Sequence, residues 1–156
     1  AGYPNGFETP FLAYRNRDYA EAMINNLNAV GITAKFEYLK YAAFRDKVQS
    51  GGAPFNFGTW GSYSINDVSA ITSHFQSGGK DDYSKDPEVI KQLGIGDTSV
   101  DANVRKAAYK AALSRISGEA FMFPLWSYNT WYAFSKDVDF NPTPDEIPRF
   151  FTAKWM

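Results

Sequence analysis

The stretch "FLAYRNRDYAEAMINNLNAVGITAKFEYLK", residues 11–40, decides the fold because the spacing of its apolar residues changes twice. It opens on a continuous apolar run, which predicts a buried strand over 11–14 that follows a turn at 4–6. Apolar residues then recur at helical spacing, which predicts a helix that buries Ala20, Met23, Ile24, Leu27 and Val30. Gly31 follows, where a left-handed residue is expected to end the helix.

Apolar and charged residues alternate next. Every second residue from Ala34 to Tyr38 is apolar, as in a half-buried strand. The segment 41–52 then predicts a short helix with Phe44 and Val48 four residues apart. A third strand is expected over Phe55–Trp60. The order strand, helix, strand, helix, strand favours a parallel sheet with right-handed crossovers. The predicted fold class is therefore α/β, a βαβαβ open sheet with flanking helices.

The second half of the chain is richer in helical patterns. We expect one helix capped by Asn66 or Asp67, one with Pro87 in its first turn, and one capped by Asp101. The segment "FMFPLWSYNTWYAFS", residues 121–135, returns to strand chemistry.

Composition limits the function classes. With 156 residues and 44% hydrophobic content the chain can bury a core, and we expect a single domain over 1–156. Sixteen basic residues against 17 acidic ones, without a block of like charges, argue against nucleic acid as a partner. No apolar run approaches the ~20 residues of a membrane helix. The sequence does not start with a secretory signal, so we expect that one was removed or that the chain begins inside a longer one.

Catalytic and metal sites find little support in the sequence. The absence of Cys removes thiolate nucleophiles and Cys-ligated metals. Asp81, Asp82 and Asp86 are too loosely spaced for a calcium loop, so we expect no metal and no cofactor. His74 is the single His, and its place at a predicted helix end favours a solvated or capping role over catalysis. Asp18 and Asp67 each begin a predicted helix, where capping is the better explanation.

Two strand ends are the candidate ligand-binding residues, because ligands of open α/β sheets lie beyond the carboxyl ends of the strands. The first end comprises Tyr14, Arg15 and Asn16. The second comprises Trp60, Gly61, Ser62, Tyr63, Ser64, Asn66 and Asp67, which combine flat aromatic faces, neutral hydrogen-bonding groups and a Gly that allows close approach. An alternative stays open, in which Trp60 packs inward and Ser64 or Asn66 only caps the next helix.

The order of motifs resembles the solute-binding proteins of the peptide/opine/nickel family, family 5, of ATP-driven importers. "AGYPNGFE" is similar to the start of the family's second large lobe, and "NLNAVGITAKFEYLKYAAFRDKVQSGGAPFNFGTWGSY" to its helix, strand, helix and Trp-bearing strand. "DDYSKDPEVIKQL", "DANVRKAAYKAALSRISGEAFMFPLW" and "DEIPRFF" follow in the usual order. Because members are much longer, the resemblance implies a fragment holding most of the C-terminal lobe of a two-lobed, type II periplasmic-binding-protein fold, without the N-terminal lobe.

The resemblance also implies a function without catalysis. The parent protein is expected to bind a peptide, opine or related small polar solute by closure of two lobes. It would then dock on the membrane permease of an ABC importer, in the periplasm or outside the cell at the envelope. Peptide-binding members carry an acidic residue that pairs with the peptide's amino terminus. Tyr63 stands at the matching position, which implies a different solute, such as a sugar-bearing opine, a modified peptide or a longer peptide.

Three further expectations follow. A lobe without its partner exposes apolar surface, so we expect the isolated chain to self-associate. One alternative function is a ligand-sensing domain of a regulator built on the same lobe. The other is a small serine hydrolase that uses Ser62 or Ser64, which lacks an obvious base.

Overall fold

The computed structural model describes residues 2–61, 67–143 and 147–156. Contacts between residues fall into two units, Ala1–Thr59 and Trp60–Met156. The single domain over 1–156 stays a prediction. Within the described residues, no helix is both long and apolar enough to cross a membrane.

Three parallel strands form the sheet of the first unit, in the order β2-β1-β3. The strands are β1 (Phe7–Ala13), β2 (Ile32–Tyr38) and β3 (Asn56–Phe57). β1 is central and pairs with β2 along its whole length. With α1 (Arg17–Ala29) and α2 (Tyr41–Gln49) between the strands, the predicted βαβαβ order and parallel sheet are confirmed.

The third strand is shorter than predicted. β3 ends at Phe57, which pairs with Ala13, the last residue of β1. A strand needs a neighbour for its ladder, and β1 offers none beyond this residue. Trp60, predicted to end the strand, therefore lies in irregular backbone.

Helices cover both faces of the sheet. Phe11 and Ala13 of β1 belong to a core cluster with Ala20 and Ile24 of α1. Leu12, which points to the opposite face, belongs to a second cluster that contains two residues of α2, Phe44 and Val48. Burial on both faces explains why β1 has a continuous apolar run rather than an alternating one.

The turn into β2 depends on two glycines. Gly31 has φ +86° and Gly6 has φ +77°, so both occupy the left-handed region. The amide of Phe7 donates to the Gly31 carbonyl at 3.1 Å, and a side chain at Gly6 would overlap that carbonyl. The left-handed Gly31 was predicted correctly. The burial of Val30 was wrong, because α1 ends at Ala29 and leaves Val30 exposed at the turn.

The second unit is built on three helices, α3 (Ser69–Phe75), α4 (Pro87–Thr98) and α5 (Ala102–Gly118). α4 and α5 share a buried apolar cluster of Val89, Leu93, Tyr109, Ala112 and Ile116. The predicted cap at Asp101 is confirmed, because its Oδ1 accepts hydrogen bonds from the amides of Asn103 and Val104. Pro87 occupies the first turn of α4, as predicted.

The strand predicted over 121–135 is wrong. This segment has no helix or strand, and Phe123 and Trp131 are 80% and 88% exposed. Alternating aromatic chemistry forms a strand only beside another strand, and the sequence pattern does not supply that neighbour. A short antiparallel pair follows, β4 (Val138–Asp139) with β5 (Lys154–Trp155), and a 3-10 turn lies at Phe150–Thr152.

Candidate functional site

The carboxyl ends of β1 and β3 are joined by the side chain of Arg15. The two strands are parallel neighbours, so the residues that follow them lie at the same edge of the sheet. Arg15 Nη1 donates to Thr59 Oγ1 at 3.1 Å, and Arg15 Nε donates to Asn16 Oδ1 at 3.2 Å. Thr59 was missed in the sequence, although its position two residues after β3 could have pointed to it. The pair brings a cation and a hydroxyl to the edge where ligands of such sheets lie.

Asn16 forms the junction between β1 and α1. Its φ of +51° is left-handed, a conformation that Asn tolerates better than most residues. It occupies the cap position of α1, yet its side chain makes no capping hydrogen bond to the helix. Asp18 lies in the first turn of α1, where a negative charge is favourable.

Tyr14 is half-buried and packs on aromatic side chains of α2. Its ring lies 4.9 Å from that of Tyr41 and 4.8 Å from that of Phe44, between centroids. Gly58 lies beside Tyr14, since a Cβ at Gly58 would be in ordinary van der Waals contact with the tyrosine ring at 3.8 Å. The ring of Tyr14 therefore supports the end of β1 from the α2 side.

In the second unit, the indole of Trp60 lies against α3. Its Nε1 donates to the carbonyl of Ala70 at 3.1 Å. The ring stacks on His74 with centroids 4.1 Å apart and planes 20° apart, and it meets the Phe75 ring edge-on at 5.2 Å. Even so, Trp60 is 38% exposed. The indole is thus fixed by its neighbours while part of its surface stays accessible.

His74 lies in the last turn of α3, so its predicted place at a helix end is confirmed. The side chain is 34% exposed, its ring is stacked on Trp60 and its Nε2 atom is buried, so the predicted solvated or capping role stays a prediction. That atom lies 3.1 Å from Asp81 Oδ2, at ion-pair distance but without hydrogen-bond geometry. The imidazole thus lies between an aromatic ring and a carboxylate.

Asp67 lies one residue before the cap position of α3, which is Val68, so the predicted cap is wrong by one residue although Asp67 still bonds to the start of the helix. Its Oδ1 accepts from the Ser69 amide at 3.0 Å, and its Oδ2 accepts from Arg105 Nη2 of α5 at 2.5 Å. The Ser69 amide, helped by Arg105, holds the pKa of the Asp67 carboxyl below its usual range. Both carboxylate oxygens are thus engaged within the unit. The alternative cap, Asn66, lies outside the described residues.

A polar network connects Asp67 to both long helices. Arg105 Nη1 also donates to the Gly96 carbonyl of α4 at 2.7 Å, and its guanidinium lies 5.1 Å from the Tyr109 ring centroid. Tyr109 donates to Asp97 Oδ1 at 2.7 Å. Burial, together with this hydrogen bond, raises the pKa of Tyr109 to about 12. The sequence carries no local signal for Arg105, because its partners are 38 and nine residues away.

The acidic residues at 81–86 have internal partners. Asp82 accepts from the amides of Gly78, Ser84 and Lys85. Asp81 faces His74, and Asp86 caps α4. Within 2–61, 67–143 and 147–156, no three His, Cys, Asp or Glu side chains are grouped as a metal site.

The candidate ligand residues divide between the two units. Tyr14, Arg15 and Asn16 lie in the first unit, where Arg15 meets Thr59, whereas Trp60, Gly61 and Asp67 lie in the second. Four other candidates, Ser62, Tyr63, Ser64 and Asn66, lie outside the described residues.

Three solved structures of binding proteins share the fold of the chain. The PBP AgaA from A. tumefaciens R10, in complex with agropinic acid, has 28% identity and a TM-score of 0.60, and the match covers 74% of this chain and 25% of that one. A dipeptide binding protein from Pseudoalteromonas sp. SM9913, in complex with Met-Leu, has 21% identity and a TM-score of 0.74, with 100% and 34% covered. The ABC transporter-associated periplasmic binding protein DppA from Helicobacter pylori, in complex with the peptide STSA, has 22% identity and a TM-score of 0.66, with 77% and 25% covered.

These likenesses define the class of fold. The chain has the fold of part of a family 5 periplasmic solute-binding protein, and it spans about a quarter to a third of the length of the three proteins. The recognition made from the order of motifs is confirmed at this level. The neighbours are binding proteins rather than enzymes, in agreement with the predicted absence of catalysis. No family model matches the sequence, and no curated protein matches it significantly.

Proposed function

We propose that the chain is most of one lobe of a solute-binding protein that delivers a small polar solute to the membrane permease of an ABC importer. The observation that carries this proposal is the junction of Arg15 and Thr59 at the carboxyl ends of two parallel strands, within a solute-binding-protein fold. The DppA structure supports the transport role, because that protein is ABC transporter-associated and periplasmic. The proposed location is accordingly the periplasm or the cell envelope.

The proposed solute contacts are the residues at both strand ends. In the first unit these are Arg15 and Asn16, with Tyr14 as support and Thr59 as an added contact. In the second unit they are Trp60 and Gly61 with the neighbouring Ser62, Tyr63, Ser64 and Asn66. Asp67 is assigned to anchoring this loop on α3 and α5, because its two oxygens are engaged there.

The proposed solute carries an acidic group. A guanidinium has five N–H donors in a planar fork that matches a carboxylate, and the bonds to Thr59 and Asn16 orient it without using all of them. AgaA, with 28% identity, is in complex with an acid, agropinic acid. Tyr63 at the position of the family's amine-binding acid favours an opine-like or modified solute over a free dipeptide. A second lobe would close over the solute by hinge motion.

The test is solute binding by the complete protein. Agropinic acid, Met-Leu and a neutral disaccharide are screened by thermal shift, followed by calorimetry. A micromolar ligand at millimolar concentration should add roughly 4 kcal/mol of apparent stability by mass action. We expect agropinic acid, or another acidic solute, to be favoured over the disaccharide.

A matched pair of variants tests the site. Arg15→Met should weaken binding of the acidic solute by about 10-fold or more, as expected for a lost charged hydrogen bond. Arg17→Met is the control, because Arg17 is an exposed arginine of the same segment that pairs with Glu21 on α1. The absence of any shift with all three solutes would contradict the binding role. Equal affinity in the two variants would contradict the site.

A further inference from the structure

We propose that His74 is a positioning residue that holds the Trp60 indole as a flat platform for a ring-bearing solute. The proposal rests on the proposed function, since it assigns a role at the same site. Nothing in the sequence pattern indicated it, because His74 lies 14 positions after Trp60 and a solvated or capping role was favoured.

Three contacts with α3 orient the Trp60 ring. The hydrogen bond from Nε1 to the Ala70 carbonyl, 3.1 Å long, fixes one edge of the indole. The His74 stack, 4.1 Å and 20°, covers one face, and the Phe75 ring meets the indole edge-on. A tryptophan has two side-chain torsions, so these contacts are sufficient to fix its plane.

The imidazole of His74 is itself held in place. Phe75 meets its ring edge-on at 4.6 Å, and Asp81 Oδ2 lies 3.1 Å from its Nε2. The Asp81 side chain is only 8% exposed, so neighbouring residues surround its carboxylate. His74 is therefore held between the loop that follows α3 and the indole.

A fixed indole has a direct consequence for binding. Trp60 is 38% exposed although His74 covers one face, so accessible aromatic surface remains. An aromatic surface that is already ordered costs little conformational entropy when a solute stacks on it. This arrangement suits a solute with a flat or ring-shaped apolar face.

The first arm of the test needs no solute. The near-UV circular dichroism of Trp60 is isolated as the difference between the complete protein and its Trp60→Phe variant. The same difference, with and without Trp60→Phe, is then measured in proteins that also carry a substitution at His74. His74→Ala should remove more than half of this signal, whereas His74→Phe, which keeps a flat ring, should retain most of it. Asp81→Asn should reduce it in part, and Ser73→Ala, on the same helix, should leave it unchanged.

The second arm measures affinity by calorimetry with agropinic acid and Met-Leu as probes. His74→Ala should weaken binding of the probe that binds by about fivefold, the scale of one aromatic contact, and His74→Phe should restore it to within twofold. A merely structural role predicts lower thermal stability in His74→Ala with no selective loss of the Trp60 signal.

The outcomes separate the two proposals. If the Trp60 signal persists in His74→Ala, or if His74→Phe fails to restore it, the positioning role is overturned. If neither probe binds, the proposed function fails, while the dichroism arm still decides whether His74 orders Trp60. If a probe binds and Trp60→Ala does not weaken it, the platform is overturned even when the dichroism supports an ordered ring.

Discussion

At the scale of single residues, Asp86 serves two purposes at one position. Its Oδ1 accepts from the amides of Glu88 and Val89 and so caps α4. Both of its oxygens also accept from Arg115 of α5, at 2.8 and 2.6 Å, as a bidentate pair. The Arg115 hydrogen bond, helped by the Val89 amide, lowers the pKa of Asp86 to about 2. The cap was predictable from the sequence, but the ion pair, 29 residues away, was not.

This lowered pKa predicts an acid-dependent loss of stability. Since the ordinary value is 3.8, the ionised Asp86 stabilises the folded state above about pH 4, and this contribution disappears as pH falls towards 2. In Asp86→Asn the amide oxygen still caps α4 but carries no charge. We therefore expect the unfolding free energy of the unsubstituted protein to fall more steeply between pH 5 and 2 than that of the Asp86→Asn variant. Urea denaturation at a series of pH values measures both. Parallel curves would contradict the assignment.

The raised pKa of Tyr109 predicts a loss of folding stability as pH rises, in contrast to the loss at low pH that Asp86 predicts. The pKa of Tyr109 is raised to about 12, so the neutral form stabilises the folded protein fully below pH 10 and this contribution disappears as pH rises towards 12. Tyr109→Phe removes the titration together with the hydrogen bond to Asp97. An ultraviolet titration of the folded protein should lose one late-ionising tyrosine in this variant. If the tyrosine that ionises at unusually high pH is still present in Tyr109→Phe, that ionisation belongs to another residue.

At the scale of secondary structure elements, the contact of α4 with α5 depends on a missing side chain. A Cβ at Gly96 would lie 2.6 Å from the Tyr109 ring, whereas a Cβ at Gly94, on the same helix, would meet nothing within 4 Å. We expect Gly96→Ala to destabilise the protein by about 1–3 kcal/mol through overpacking. Gly94→Ala should stabilise it by roughly 0.5–1 kcal/mol, because alanine favours helix. Thermal unfolding of both variants checks the pair, and shifts of the same sign would contradict the packing.

Helices and strands were predictable where the sequence pattern that marks them lies within a few residues. The change from helical to alternating spacing at Gly31 predicts both α1 and β2, and Asp101 predicts the start of α5, since each pattern acts within a few residues. The short β3 and the irregular segment 121–135 were not predictable, because strand length depends on a neighbouring strand. The same limit applies to the candidate site, where the sequence pattern points to Arg15 and Asp67 but not to their hydrogen-bond partners Thr59 and Arg105.

At the scale of the whole molecule, exposed aromatic side chains predict self-association of the isolated 156-residue chain. Trp131, Phe151 and Trp155 are all more than 80% exposed, and large exposed apolar surfaces normally mark contacts with another protein or another part of the same one. The structural neighbours are about three times as long as this chain, so the proposed remainder of the protein is available to cover such surface.

Sedimentation velocity over a concentration series measures this association. We expect the average mass to rise with concentration, and Trp131→Lys should reduce the rise because a charge disfavours apolar contact. Val100→Lys is the control, since Val100 is a fully exposed, smaller apolar residue beside α4 and adds the same charge. The complete protein, with the second lobe that we propose, should sediment as a monomer at the same concentrations. If the isolated chain is monomeric, these aromatic side chains do not drive self-association. That result would also argue against a second lobe that covers them.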